Sequence, residues 1–197
     1  ALEFCILFPK FVNRLISISS GYKLSTLQVL HNLEQAYILD LGRESNNRNS
    51  EYLSLARMVA HKTYISLELL SNRAKSETLY DDGLINGFLS TPQESYMMHQ
   101  GEKFIERFTP ESYLSIIKGW QNFKIKKEDL KSLKDIETLV ISVDSDVCFY
   151  PDEQKEFLGV LNEFKVKTTF ATIKSTKGHD SFLLEPELFE NTLKDFL

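Results

Sequence analysis

Leu139-Val140-Ile141-Ser142-Val143 is an apolar run without the alternation of a half-exposed strand, and it stops abruptly at Asp144-Ser145-Asp146. A strand with no polar face must be covered on both sides, as a central strand of a parallel sheet is when it lies between helices. A helical pattern follows from Asp152 to Phe164. A second strand-like run, Thr168 to Ile173, then empties into Ser175-Thr176-Lys177-Gly178-His179-Asp180. Strand, helix, strand in that order is the repeating unit of a parallel α/β sheet. It leaves an acid just past one strand and a His just past the next. Both are at carboxyl ends, where open α/β sheets build their sites.

An acid that orients a His, so that the His can act as base toward a nucleophile, has this chain order in α/β-hydrolase folds: nucleophile, acid, His. Asp144 and Asp146 compete for the acid position, and either can instead be a turn or helix-capping residue. His179 is the candidate base. His31, His61 and His99 have no metal-ligand spacing with one another or with the cysteines, and they read as core or surface residues. Ser19-Ser20-Gly21 is not a nucleophile motif, because it lacks the Gly-x-Ser-x-Gly turn and a helix directly behind it. There is no Gly-rich phosphate loop and no dinucleotide fingerprint.

With 197 residues, 42% hydrophobic and 26% charged, the chain has the composition of a soluble globular domain with a proper core. Its net charge of −5 argues against nucleic acid as a main partner, and the lysines between Lys118 and Lys134 are interrupted by acids like a solvated face. Cys5 and Cys148 sit in apolar segments and read as reduced thiols of a cytoplasmic protein. No run approaches the roughly 18 apolar residues of a membrane helix. The chain begins at Ala1 without Met and is apolar and helical at once, which reads as a chain picked up within a fold.

Ala1 to Phe11 reads as a short helix ended by Pro9, with Leu2, Cys5, Ile6 and Phe8 clustered, and Arg14 to Ser19 as a strand. From Leu24 to Trp120 the pattern is helical. Ser25 caps a helix to Asp40 with Leu27, Leu30, Leu33 and Ala36 on one face. Leu41 to Ser50 reads as an exposed loop. Glu51 to Ser71 reads as one helix with a stripe of Leu53, Ala56, Ala60, Tyr64 and Leu67. Asp81-Asp82-Gly83 and Ser90-Thr91-Pro92-Gln93 mark turns; Glu102 to Phe108 and Pro110 to Phe123 are further helical pieces.

Several segments in order carry a resemblance. They are Leu55-Ala56-Arg57-Met58 with Thr63-Tyr64, Gln100-Gly101-Glu102-Lys103-Phe104 with Arg107-Phe108, Ser112-Tyr113-Leu114, Ser145-Asp146 before Tyr150-Pro151, and Gly178-His179-Asp180-Ser181-Phe182-Leu183. Together with Ala1-Leu2-Glu3-Phe4 they resemble the homoserine O-acetyltransferases over nearly the whole chain. The resemblance implies the C-terminal part of an α/β-hydrolase sheet, at 1–23 and 124–197, with a helical lid at 24–123. It implies His179 as general base and Asp146 as the acid that orients it. Arg57 and Tyr64 would line the amino-acid pocket, with the Arg57 fork on the substrate carboxylate, and Asp180 would take the ammonium.

The implied partners are acetyl-CoA, as a co-substrate and not a bound cofactor, and L-homoserine, in methionine biosynthesis. A homodimer through lid helices, or association with the segment that carries the nucleophile, goes with them. The family's Gly-Gly-Ser-Met-Gly-Gly segment would end just before Ala1, so the reactive Ser lies outside these residues and the chain alone is expected to be inactive. Glu34 stands where the family usually has Arg, Asp40-Leu41-Gly42-Arg43 replaces Asp-Pro-x-Trp, and Tyr64-Ile65-Ser66 replaces Tyr-Arg-Ser. These departures bear on substrate choice. A succinyl donor, a serine acceptor, an esterase, or a truncated chain without catalysis are the other readings.

Overall fold

In the computed structural model the described residues are 1–44, 48–75 and 91–197. They divide into two compact units: Ala1–Ser25, Thr63–Ser66 and Phe123–Leu197 form a sheet unit, and Thr26–Lys62 with Leu67–Asn122 a helical unit. The short segment Thr63–Ser66, helical by sequence pattern, packs with the sheet unit.

The sheet unit holds three parallel strands in the order β1-β2-β3: β1 (Arg14–Ile18), β2 (Glu137–Val143) and β3 (Thr168–Ile173). The apolar run is the central strand. Its residues face opposite ways by turns. Val140 packs with Cys5, Leu15, Phe157 and Leu161 on one side. Leu139, Ile141 and Val143 pack with Ile173, Phe189 and Phe196 on the other. Helix α1 (Leu2–Leu7) and the later helix α7 (Pro151–Glu163) cover the first side, and α9 (Glu187–Phe196) the second. At roughly 25 cal/mol per Å² of apolar area removed from water, such two-sided burial is what selects this strand for the centre. Pro9 ends α1 as expected, but Pro9–Phe11 continues as a 3-10 turn and Phe8 is half-exposed.

In the helical unit, α2 (Thr26–Arg43), α3 (Asn49–Tyr64), α4 (Leu67–Arg73), α5 (Pro92–Ile105) and α6 (Pro110–Gln121) are connected in chain order. Leu39, Leu53, Ala56, Phe104, Tyr113, Leu114 and Ile117 form a core shared by α2, α3, α5 and α6. Thr91 and Thr109 each close a reciprocal capping box, with Glu94 and Ser112, and Pro92 and Pro110 occupy the first turns. The turn expected at Thr91 is therefore a helix start. Asp81-Asp82-Gly83 and Ser90 lie outside the described residues.

Three sequence expectations change here. α2 runs past Asp40 to Arg43, and the expected loop shrinks because α3 begins at Asn49. The face of α2 with Leu27, Leu30 and Leu33 is the exposed one, while Gln28, Asn32 and Gln35 are buried. The buried amides have partners: Tyr113 Oη donates to Gln35 Oε1, and Asn32 Nδ2 donates to Gln121 Oε1 at 3.0 Å. Finally, the single helix expected at Glu51 to Ser71 breaks after Tyr64. Ser66 gives its N–H to Lys177 O at 3.3 Å and its hydroxyl to Thr176 O, so its backbone donor is spent outside the helix. Leu67, placed on the buried stripe, is 69% exposed in consequence.

Candidate active site

The β2–β3 ladder ends with the pair Val143↔Ile173 and a last rung from Asp144 N–H to Ile173 O at 3.0 Å. Beyond it the chain from β2 makes the turn Asp144–Asp146, and the chain from β3 makes Lys174–Lys177 before a 3-10 turn at Gly178–Asp180. Both turns stand at the carboxyl edge of the sheet, so neighbouring parallel strands deliver their loops side by side.

Asp146 and His179 meet there. Nδ1 of His179 lies 3.0 Å from Oδ2 of Asp146. The other carboxylate oxygen, Oδ1, accepts N–H bonds from Cys148 and Phe149, each at 2.8 Å. Asp146 is 1% exposed. A buried carboxylate needs its lone pairs satisfied, and here two backbone donors hold one oxygen while the imidazole takes the other. An ionised carboxylate can only accept, so His179 carries its proton on Nδ1. That leaves the lone pair on Nε2, which has no hydrogen-bond partner among the described residues. The His179 side chain is 18% exposed. Phe149 stacks on the ring at 5.5 Å and Phe182 meets it edge-on at 5.6 Å, so the imidazole has little freedom to turn.

Asp144 does not reach the His. It is exposed, and its Oδ1 accepts the N–H of Ser175 at 3.0 Å. Of the two acids left open by spacing, Asp146 is the one in contact with His179.

The His loop is also braced from Thr63–Ser66, within the same unit. Gly178 adopts φ +76, and a Cβ there would fall 2.4 Å from the Ser66 nitrogen. Only Gly fits both the backbone angle and the approach. On the acid loop, the Cys148 thiol bonds Thr63, and burial with the Asp146 charge pushes its pKa up to about 12. A thiol so raised is not a nucleophile at neutral pH. Ser19, at the end of β1, has φ +44 but is buried, with no helix directly behind it, consistent with its rejection as a nucleophile.

The other residues named from sequence are placed as follows. Asp180 follows His179 directly, is half-buried and precedes the short helix α8 (Ser181–Leu184). Tyr64 is the half-buried last residue of α3 and counts with the sheet unit. Arg57 belongs to the helical unit. Its guanidinium lies 5.0 Å over the Phe104 ring, with Nη2 3.4 Å from His61 Nδ1. It lines a cavity of about 280 Å³ with Gln100, Lys103, Phe104, Glu106 and Arg107. His61 is buried and its Nε2 is 3.0 Å from Tyr96 Oη. Burial first, then the charges of Arg57 and Arg73, lowers its pKa to about 4, so it is neutral. His61, read from sequence as a core or surface residue, is a core one; sequence reasoning passed over Phe149 and the bracing by Ser66. Only the aromatic character of Phe149 and Phe182 beside the two loops could have hinted at ring packing.

Curated relatives align along the chain. A homoserine O-acetyltransferase from Pelagibacter ubique is 35% identical over 189 residues, covering 85% of this chain and 51% of that protein. One from Methanosalsum zhilinae is 32% identical over 210 residues, covering the whole chain and 42% of the relative. The chain thus spans about half the length of the curated relatives it matches. No family model matches it. Among solved structures, a homoserine O-acetyltransferase from Bacillus anthracis superposes with a TM-score of 0.85 at 14% identity, over 98% of this chain and 55% of that one. Esterase E22 does so equally, with a TM-score of 0.85 at 15% identity, over 100% and 57%. These likenesses establish a portion of an α/β-hydrolase fold.

Proposed function

Since the chain is a homologue of the homoserine O-acetyltransferases, we propose that it supplies the acid and base of an acyltransferase that moves an acetyl group from acetyl-CoA to the hydroxyl of L-homoserine. The observation that carries this is the contact of the buried, doubly bonded Asp146 with His179 Nδ1 at 3.0 Å. It leaves Nε2 as a base held in one tautomer, which is what activation of a hydroxyl requires.

In this reading the reactive serine lies outside these 197 residues. His179 Nε2 takes the serine proton as the serine oxygen attacks the thioester carbonyl, and returns it to the departing CoA thiolate. Nε2 then takes the proton of the homoserine hydroxyl. That oxygen attacks the acetyl-serine, the ester bond to serine breaks, and the serine oxygen recovers the proton. Asp146 stays ionised throughout and stabilises the imidazolium. Arg57 would pair with the homoserine carboxylate, Tyr64 would line the pocket and Asp180 would receive the ammonium. The product, O-acetylhomoserine, belongs to methionine synthesis in the cytoplasm. Acetyl-CoA is a co-substrate, and no bound cofactor is required.

A homodimer through the helical unit goes with this proposal. The exposed face of α2, with Leu27, Leu30, Leu33 and Tyr37 between 41% and 62% open, is the observation behind it.

The test uses the protein in the length its gene encodes, with thiol release and product mass followed for each donor and acceptor pair. Acetyl transfer to L-homoserine that falls about a thousandfold in His179→Ala supports the proposal. Succinyl-CoA or L-serine used in preference changes the substrates. Thioester hydrolysis with no gain from homoserine makes it an esterase, a reading the fold likeness to esterase E22 leaves in the test. The 197 residues alone are proposed to be inactive, and measurable transfer by them would overturn the placement of the serine.

A further inference from the structure

We propose that Ser145 is a positioning residue whose hydroxyl fixes the distance between the loop that carries Asp146 and the loop that carries His179. The inference rests on the acid–base reading of that pair. Strand pairing cannot set this distance, because the β2–β3 ladder ends at Asp144 N–H to Ile173 O, before either side chain is reached. Past that rung, and besides the Asp146–His179 contact itself, three bonds among the described residues tie the two loops. Asp144 Oδ1 accepts from Ser175 N–H at 3.0 Å. Ser145 Oγ donates to Ser175 O. The same Oγ accepts from Gly178 N–H at 3.0 Å.

Ser145 donates its one O–H to Ser175 O and accepts from Gly178 N–H on a lone pair, so its proton has a single direction. Its neighbours in sequence make the placement decisive. Ser145 precedes Asp146 and Gly178 precedes His179, so the Oγ bond to Gly178 is a rung immediately before the bond between carboxylate and imidazole. Asp144 contributes from the exposed rim, where water competes for its bonds. Ser145 is half-buried and Gly178 buried, so the Gly178 N–H is better shielded from water than the Asp144 carboxylate and losing its partner costs more. Removing the hydroxyl frees the His loop to move away from Asp146 by a fraction of an ångström. A misplacement of that order can cost up to about a hundredfold in rate.

The experiment compares Ser145→Ala, Ser145→Thr and Asp144→Ala in the protein in the length its gene encodes. The first readout is the low-field proton resonance of the His179 Nδ1–H, which needs no turnover. In Ser145→Ala this proton is expected to exchange faster and shift, while the far-ultraviolet spectrum stays that of the parent. Ser145→Thr, which keeps the hydroxyl, restores it, and Asp144→Ala changes it little. In the acyl-transfer assay Ser145→Ala lowers kcat by about 10- to 100-fold with KM for both substrates within about twofold. An unchanged resonance in Ser145→Ala overturns the proposal, as does an equal loss in Ser145→Thr. If Ser145→Ala does not fold, Ser145→Thr and Asp144→Ala decide: the proposal falls if Thr fails to keep the resonance or if Asp144→Ala abolishes it. A resonance that responds as stated in a protein with no acetyl transfer keeps the clip and removes the acyltransferase reading.

Discussion

His61 shows how a single side chain can make stability depend on pH. Folded, it is neutral, with a pKa near 4 against about 6.5 when exposed, because it is buried and faces Arg57 and Arg73. Between those values the unfolded chain binds a proton that the folded one refuses. The contribution is therefore complete above about pH 6.5 and is lost as pH falls toward 4. It amounts to about 3 kcal/mol. Urea unfolding at pH 7 and pH 4.5 should show a steeper loss for the parent than for His61→Gln, which removes this titration and leaves the carboxylates as they are. Equal losses would sink the assignment. Gly178 makes a second residue-scale prediction. A methyl there meets the Ser66 nitrogen at 2.4 Å on a backbone of φ +76, so Gly178→Ala should cost about 2 kcal/mol and displace His179. Its low-field His resonance should vanish along with the stability. Survival of both would show that the loop has room to yield.

Among the elements, α7 is the one most plainly written in the sequence, and one position in it is improvable. Gly159 is exposed in mid-helix, and a Cβ there would meet nothing within 4 Å. Gly159→Ala should therefore stabilise the protein by about 0.5–1 kcal/mol, read as a raised thermal midpoint with activity unchanged. β2 was legible for the same reason as α7: its burial follows from local pattern, and six of its seven residues are buried. α2 was not. Its apolar stripe pointed inward by pattern, yet Gln35 and Asn32 face the core because Tyr113 and Gln121, distant in sequence, complete their hydrogen bonds. The break after Tyr64 was equally hidden. Ser66 gives its donors to the His loop more than a hundred residues away, and no local propensity records that. Of the site, spacing gave the strand-end acids and the His, and the resemblance chose Asp146 over Asp144. The clip through Ser145 depends on a tertiary approach that no spacing reveals.

At the scale of the whole molecule, the chain corresponds to about half of each curated relative, and its sheet is correspondingly narrow. Among the described residues β1 has a strand partner on one side only. Asn13 O accepts from Glu137 N–H and Ser19 N–H donates to Ile141 O, so the odd-numbered peptide groups of β1 face β2. In a parallel strand the alternate groups then face away. The amides of Ile16 and Ile18 accordingly point out of the sheet, where no described strand meets them. In heavy water these two should take up deuterium well before Ile141 in the paired centre, each read as its own amide signal. Any strand that later joins the sheet beside β1 would slow those two exchanges by orders of magnitude and leave Ser17 unchanged. A pair of isoleucine amides thus reports, residue by residue, whether that edge of the sheet is paired.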